Sequence, residues 1–429
     1  MSDLNIPDHN LERIVIIGCG FGGLNLAKKL NHKRYQVVMI DKHNYHTFQP
    51  LLYQVATAGL EPDSIAYPIR NIFRKLPNFY FRLAEAKEID TEQQVIHCNI
   101  GSLKYDHLVI ATGSGTNYFG MKEVEEKSMP MKTVPEALNL RSLILQNFEA
   151  ASLTQDLKER ERLMNFAIVG AGPTGTELAG ALAELKTHVL PNDYPDLDFR
   201  RMSIHLIEMA PKVLPPMKDF SSENALKYLE SLGVQVWLDT AVKHYDGNTV
   251  STNKKEIPAS TLIWAAGVKG NIIPGLEEGK DFERGRYKVN AINLVGERTN
   301  VFAIGDVAGM ETENSPKGHP MLAQVAIQQG LNLAKNFNSR KSTSAWKAFS
   351  YKDKGTMATV GRNKAVAELY NKFMLKGFPG WAVWMAVHLI SLVGFRNRMV
   401  VFFNWLVNYF SYDRKIRLII RPWKKPSEM

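Results

Sequence analysis

Cysteine is nearly absent: Cys19 and Cys98 are the only two in 429 residues, far apart and in unrelated contexts. That scarcity fits a reducing compartment and argues against a CxxC redox pair, an iron–sulfur cluster or a structural zinc site, so no metal is expected. Also missing is a basic start followed by an apolar core. The opening MSDLNIPDHN predicts no secretory signal and a location on the cytoplasmic side. Glycine (30) and proline (20) are ordinary in amount, so their placement carries the information. What the chain does have is length for two to three domains and 45% hydrophobic residues, enough for packed cores.

Positive charge is concentrated at one end. From Lys376 to Met429 nine Lys/Arg face only Asp413 and Glu428, a net +7 of the overall +10. A nucleic-acid surface is usually spread through a binding module, whereas this charge adjoins strongly apolar sequence. The pattern points to an anionic membrane surface and not to nucleic acid.

The first glycine cluster lies in RIVIIGCGFGGLNLAKKL, residues 13–30. Ile14 to Ile17 predict a buried strand, Gly18, Gly20 and Gly23 spell GxGxxG, and Leu24 to Leu30 predict a helix. Glycine there permits a tight turn, a close backbone approach to a pyrophosphate and close helix packing, with Gly22 in the same loop. The helix start offers unpaired N–H groups to the phosphates. The next strand, QVVMID, ends at Asp41, 23 residues after Gly18 and followed by Lys42. A carboxylate at that place accepts from the adenosine ribose hydroxyls.

The pattern then repeats. NFAIVGAGPTGTELAGALAEL, residues 165–185, gives a strand, Gly170, Gly172 and Gly175, and a helix; its second strand, SIHLIEM, reaches Glu208, 38 residues after Gly170. The longer gap holds LKTHVLPNDYPDLDFRR. An acidic residue here bonds a free 2'-OH and repels a 2'-phosphate, which favours NADH over NADPH. Two such units imply two dinucleotides held for electron exchange. Three further strand ends support this: Ala111-Thr112-Gly113, Ala266-Gly267 and Gly305-Asp306. At each the glycine lets backbone approach a ligand, and Asp306 is placed to accept from the ribityl hydroxyls of a flavin.

This α/β architecture resembles the flavoproteins with two Rossmann-like FAD/NAD(P)-binding domains, glutathione-reductase-like, and most nearly the type II NADH dehydrogenases. The resemblance rests on NYHTFQPLLYQVATAGLE (44–61), GPTGTELAGALAEL (172–185), VFAIGDVAG (301–309) and HPMLAQVAIQQG (319–330). It implies a non-pumping NADH:quinone oxidoreductase with non-covalent FAD. Hydride would pass from NADH to FAD, and two electrons and two protons then to a membrane quinone, menaquinone or ubiquinone.

The resemblance also implies roles for particular residues. Ala323, Gln324, Ala326 and Gln328 resemble an AQxAxQ helix start that holds the flavin ring and reaches the quinone. Read from the residues alone, the alanines leave room for a flat ring, and the two glutamines, four apart, share a face. Glu177 is an early-helix carboxylate that the dipole favours, and the resemblance places it near the nicotinamide and flavin, among the cofactor-binding residues, with a share in proton traffic to quinone. Lys376 resembles a lysine near a quinone tunnel, and equally suits an interface anchor. His46, by residue type, is an ordinary hydrogen-bonded loop histidine. The missing flavin-side cysteines argue against disulfide reductases and sulfide:quinone oxidoreductases.

The apolar stretches 378–394 and 399–410 carry Pro379 and His388 and are followed by Arg396, Arg398, Arg414, Lys415, Arg417 and Arg421. Neither spans a bilayer comfortably, so they read as an in-plane anchor with Trp381, Trp384 and Trp405 at headgroup depth. The expected location is the cytoplasmic side of the inner (cytoplasmic) membrane, peripherally bound, as a homodimer. The expected division is an FAD-binding part (1–160), an NADH-binding domain (161–268), a second FAD part with a strand-rich extension (269–372), and a C-terminal amphipathic membrane-anchoring region (373–429).

Overall fold

A computed structural model describes residues 4–313, 315–339, 341–370, 372–411 and 416–424; Asp413, Arg414, Lys415 and Glu428 lie outside them. The chain forms two compact units, one of residues 1–46, 67–115 and 268–353, the other of 47–66, 116–267 and 354–429.

The first unit is built on five strands, in the order Val301–Ala303, His107–Ile110, Glu12–Ile17, Tyr35–Asp41 and Phe79–Leu83. Every pairing in it is parallel. Parallel sheets are covered on both faces, and the sequence obliges: Ile14, Val15, Ile16, Val37, Val38, Met39 and Ile40 are fully buried. The helices Phe21–Lys29 and Ala323–Asn338 pack on each other. Gly330 sets how closely, since a Cβ there would stand 2.5 Å from the Gly22 carbonyl oxygen.

The second unit repeats the plan. Its parallel sheet runs Met129–Pro130, Thr261–Trp264, Phe166–Val169, Ile204–Ile207 and Val234–Trp237. The long helix Val134–Leu153 starts with a capping box between Thr133 and Glu136. Residues 116–160 group with this unit, because the strand Met129–Pro130 pairs with Thr261–Trp264 and carries that helix with it. The chain therefore changes unit after residue 115 instead of after 160. After the long helix ends at Leu153 a second, Leu157–Met164, begins at an Asp156 cap.

The strand-rich extension is a three-stranded antiparallel sheet, Gly355–Thr359, Ala365–Leu369 and Phe373–Lys376. It belongs with the second unit and not with the first, as the sequence had suggested. It packs on the helices Pro173–His188, Asp219–Ser231 and Gly377–Ser391, and at one point backbone meets backbone: a Cβ on Gly180 would lie 2.8 Å from the Gly361 nitrogen.

The apolar tail forms two helices, Gly377–Ser391 and Phe395–Ser411. Among the described residues no helix is long and apolar enough to cross a membrane. The second tail helix is amphipathic. Its polar stripe is clipped to the segment 54–66: Asn397 donates to the carbonyls of Asp63 and Ala66, Asn404 to Glu61, Trp405 to Gln54 and Asn408 to the Gly59 carbonyl. Its other face exposes Phe402, Phe403, Leu406, Val407 and Phe410.

The helix–helix contact at Gly330 yields a stability prediction. Gly330→Ala puts a methyl against backbone that has no rotamer escape, and should destabilise the first unit by about 1–3 kcal/mol. The denaturation midpoint of the purified variant measures it; an unchanged midpoint would mean that the two helices can separate freely.

Candidate cofactor and substrate sites

The two glycine loops have nearly the same geometry. Gly18 and Gly170 sit at φ of 104° and 99°, in the left-handed region that favours glycine. Each donates its N–H to the second strand, Gly18 to Ile40 O and Gly170 to Ile207 O, both at 2.8 Å. A Cβ at Gly23 would lie 2.0 Å from Gly18 O, and one at Gly175 would lie 1.9 Å from Gly170 O. These glycines let each helix start directly on its loop.

The middle glycines differ from them. A Cβ added to Gly20 or Gly172 meets nothing within 4 Å. Each is also the N-cap of its helix, with no side chain satisfying the first N–H groups. Open space above bare, outward N–H groups fits a pyrophosphate in both loops, and the FAD called for by the first loop passes this test.

The acidic residues close the loops. Asp41 Oδ2 accepts from Cys19 N (2.6 Å) and Oδ1 from His43 N (2.8 Å). Glu208 Oε2 accepts from Ala171 N (2.7 Å) and Oε1 from Ala210 N (2.8 Å). Each carboxylate thus shapes its loop and keeps further lone pairs for a ribose. Burial pushes the Asp41 carboxyl upward, against the two backbone N–H groups that hold its charged form. Lys42 follows Asp41 directly.

In the first unit the predicted strand ends form one hydrogen-bonded cluster. Thr112 Oγ1 donates to Asn271 O, Asn271 Nδ2 donates back to Thr112 O, and Asn271 N donates to Gly113 O. Ser114 donates to Asp306 Oδ2 at 2.5 Å. Gly305 N donates to Gln329 Oε1 at 2.7 Å, and a Cβ on Gly305 would press on that of Ala326 at 3.2 Å. Ser114, Asn271 and Gln329 escaped sequence reasoning because nothing in their own neighbourhoods marks them; only the QQ doublet at 328–329 hinted at the last.

The AQxAxQ helix divides its glutamines. Gln324 Oε1 is buried with no hydrogen-bond partner among the described residues, as a ligand-facing acceptor would be. Gln328 does not share that role: it clasps Lys352, accepting from its N–H (3.0 Å) and donating to its carbonyl (2.9 Å). Its i,i+4 spacing from Gln324 is real, but the backbone of Lys352 claims it. Ala323, at the helix start, is half-buried.

His46 is buried and bonded through Nδ1 to the Cys19 carbonyl. Burial pulls it down to about 4, so it is a neutral histidine, in the short strand Tyr45–Thr47. Burial also raises the Cys19 thiol and brings Cys98 to about 11, leaving neither as a ready thiolate.

The second unit holds a pocket lined from five places in the sequence. Tyr53, Gln54, Thr57 and Gly59 form one wall, and Glu177, Ala181 and Glu184 of the helix Pro173–His188 another. Thr359, Gly361 and Arg362, then Trp381, Trp384 and Met385, then Trp405, Asn408 and Tyr409 complete it. Glu177 is 6% exposed; its Oε1 accepts from Trp384 Nε1 (3.1 Å) and Thr359 N (3.4 Å). Burial raises its carboxyl to about 8 despite those two donors, so it carries a proton at neutral pH.

The structure corrects two expectations about the tail. Trp384 is 2% exposed and Trp405 is tied to Gln54, so these rings line the pocket instead of standing at headgroup depth. The indoles turn inward because each needs an acceptor for its N–H, and the exposed face is left to Phe, Leu, Val and Ile. Lys376 is exposed, precedes the helix Gly377–Ser391 without a side-chain capping bond, and lies over the Phe220 ring at 5.5 Å; it is not among the pocket residues. Arg417 is engaged with Asp193, which removes it from the free cations of the tail.

Residues 12–330 match the profile of the pyridine nucleotide-disulphide oxidoreductases and residues 354–412 that of the NDH2 C-terminal domain. The Type II NADH:quinone oxidoreductase Ndh of Mycobacterium tuberculosis is 36% identical over 422 residues, 94% of this chain and 89% of that protein. NDH2 from Plasmodium falciparum, solved in complex with NADH, has the same fold, with a TM-score of 0.88 at 23% identity over 96% of this chain and 100% of that one. The sulfide:quinone oxidoreductase of Aquifex aeolicus shares the fold at a TM-score of 0.70 and 18% identity, over 93% of this chain and 95% of that one. By both profiles and by identity along nearly its whole length, this chain belongs to the type II NADH:quinone oxidoreductases of the pyridine nucleotide-disulphide oxidoreductase family.

Proposed function

We propose that this chain oxidises NADH and reduces a membrane quinone, menaquinone or ubiquinone, through non-covalently held FAD, without pumping protons. The observation that carries the reading is the duplicated loop: two glycine turns, each closed by its own carboxylate and each opening on bare helix N–H groups. Bound FAD supplies a two-electron carrier that takes hydride from NADH and returns the electrons to the quinone.

The residues of the chain bind, orient and protonate. Gly18, Gly20, Gly22 and Gly23 with Asp41 hold the adenosine end of FAD, with Lys42 beside it. Thr112, Gly113, Gly305 and Asp306, with Ala323 and Gln324, hold its flavin end. Gly170, Gly172, Gly175, Glu208 and Gly267 hold NADH. The pocket around Glu177 receives the quinone headgroup, where aromatic walls pack a flat ring and a protonated carboxyl supplies a proton. Gln328 and Lys376 act at a distance, by fixing the backbone at Lys352 and by anchoring the tail.

The tail supports peripheral attachment on the cytoplasmic side of the inner membrane: an apolar helix face meets the lipid, and Arg396 and Arg421 stand exposed to anionic headgroups. Pairing of two chains as a homodimer is compatible with that placement.

Two variants test the assignment. Glu177→Gln keeps the shape and removes the proton. Reoxidation of the reduced enzyme by a soluble quinone should slow about 10²-fold, while FAD content stays unchanged. In the parent enzyme that rate should fall as pH rises through about 8, where the raised Glu177 carboxyl loses its proton, and the variant should lose this fall. Equal reoxidation rates would remove the proton role. Glu208→Gln weakens discrimination against a 2'-phosphate, and the ratio of kcat/KM for NADH over NADPH should drop about tenfold; an unchanged ratio would place cofactor choice elsewhere.

A further inference from the structure

We infer that Trp384 is a positioning residue for the quinone step: its indole N–H fixes the Glu177 carboxyl so that the transferable proton sits on Oε2, the oxygen that takes neither donor. The inference rests on the proposed role of Glu177 and deepens it.

The geometry is specific. Both protein donors to Glu177, Trp384 Nε1 at 3.1 Å and Thr359 N at 3.4 Å, fall on Oε1, and no protein hydrogen bond falls on Oε2 among the described residues. An indole N–H and a backbone N–H can only donate. The carbonyl oxygen is the better acceptor of the neutral acid, so two donors on Oε1 favour the proton on Oε2. The Thr359 contact is long, so Trp384 is the stronger constraint.

Trp384 is itself held rigidly. It is 2% exposed, on a helix whose Phe378 and Ile390 are 55% and 70% exposed. His388 stacks on its ring at 4.1 Å and 23°, and bonds through Nδ1 to the Trp384 carbonyl at 2.7 Å. Phe48 packs edge-on against His388, and the Trp405 ring lies 5.7 Å from Trp384. Burial lowers His388 to about 4, so the stack adds no charge near Glu177.

The other titratable groups lining the pocket are Glu184, Arg362, Tyr53 and Tyr409. Arg362 donates to the carbonyls of Asn408 and Tyr409, and its backbone N–H to Glu184. Burial and the two N–H donors are what move Glu177. Removing the indole N–H takes away a donor that favours the carboxylate, so the acid should hold its proton to higher pH.

The test replaces Trp384 by phenylalanine and, separately, by 3-benzothienylalanine, which keeps the bicyclic ring and lacks the N–H. The pH at which quinone reoxidation falls should rise by about half to one unit in both, with the neutral-pH rate reduced about three- to tenfold. Flavin reduction by NADH should be unchanged. A benzothienyl variant whose pH profile overlays the parent's overturns the inference, and it does so even if Trp384→Phe fails to fold. Glu177→Gln is run alongside. If it also leaves the profile intact, the Glu177 reading has failed; if it abolishes the fall and the tryptophan variants do not move it, only the positioning role has failed.

Discussion

The structure depends on one interaction made twice: a carboxylate at the end of a second strand accepting from the backbone N–H inside a glycine turn. Asp41 does this to Cys19 and Glu208 to Ala171, at 2.6 and 2.7 Å. A charged acceptor on a backbone donor is among the stronger hydrogen bonds available, and it holds open a loop that has no side chains to support itself. The loop in turn sets the start of the following helix and so the direction of its unpaired N–H groups. Strand, turn, helix and acid form one unit, and duplicating it gives two dinucleotide sites within a single chain.

The glycine loops and their acids were legible in the sequence because their determinants are local. GxGxxG forces the turn, and the acid lies one strand away, 23 or 38 residues on. Strand ends at Gly113, Gly267 and Gly305 were legible for the same reason. What was not legible depends on contacts between distant segments. Gln328 reads as a partner of Gln324 by helical spacing, yet its amide goes to the Lys352 backbone. Trp384 reads as an interfacial tryptophan by composition, yet it bonds to Glu177 across 207 residues. Ser114 and Asn271 have no local signature at all, and Gln329 only the QQ doublet.

The tail shows how one stretch serves two surfaces. Its indoles and asparagines face the protein, where each polar hydrogen finds an acceptor, and its phenylalanines and aliphatics face outward. Burial raises the Glu177 carboxyl against its two N–H donors, so its protonation follows from packing.

Double-mixing stopped-flow absorbance at the flavin band tests the central claim most directly. NADH is mixed first with the purified protein, and a soluble quinone is then added to the reduced enzyme. Two functional dinucleotide sites predict a flavin band that bleaches with NADH and recovers rapidly with quinone. A protein without a flavin band, or one whose band NADH leaves untouched, would contradict the account.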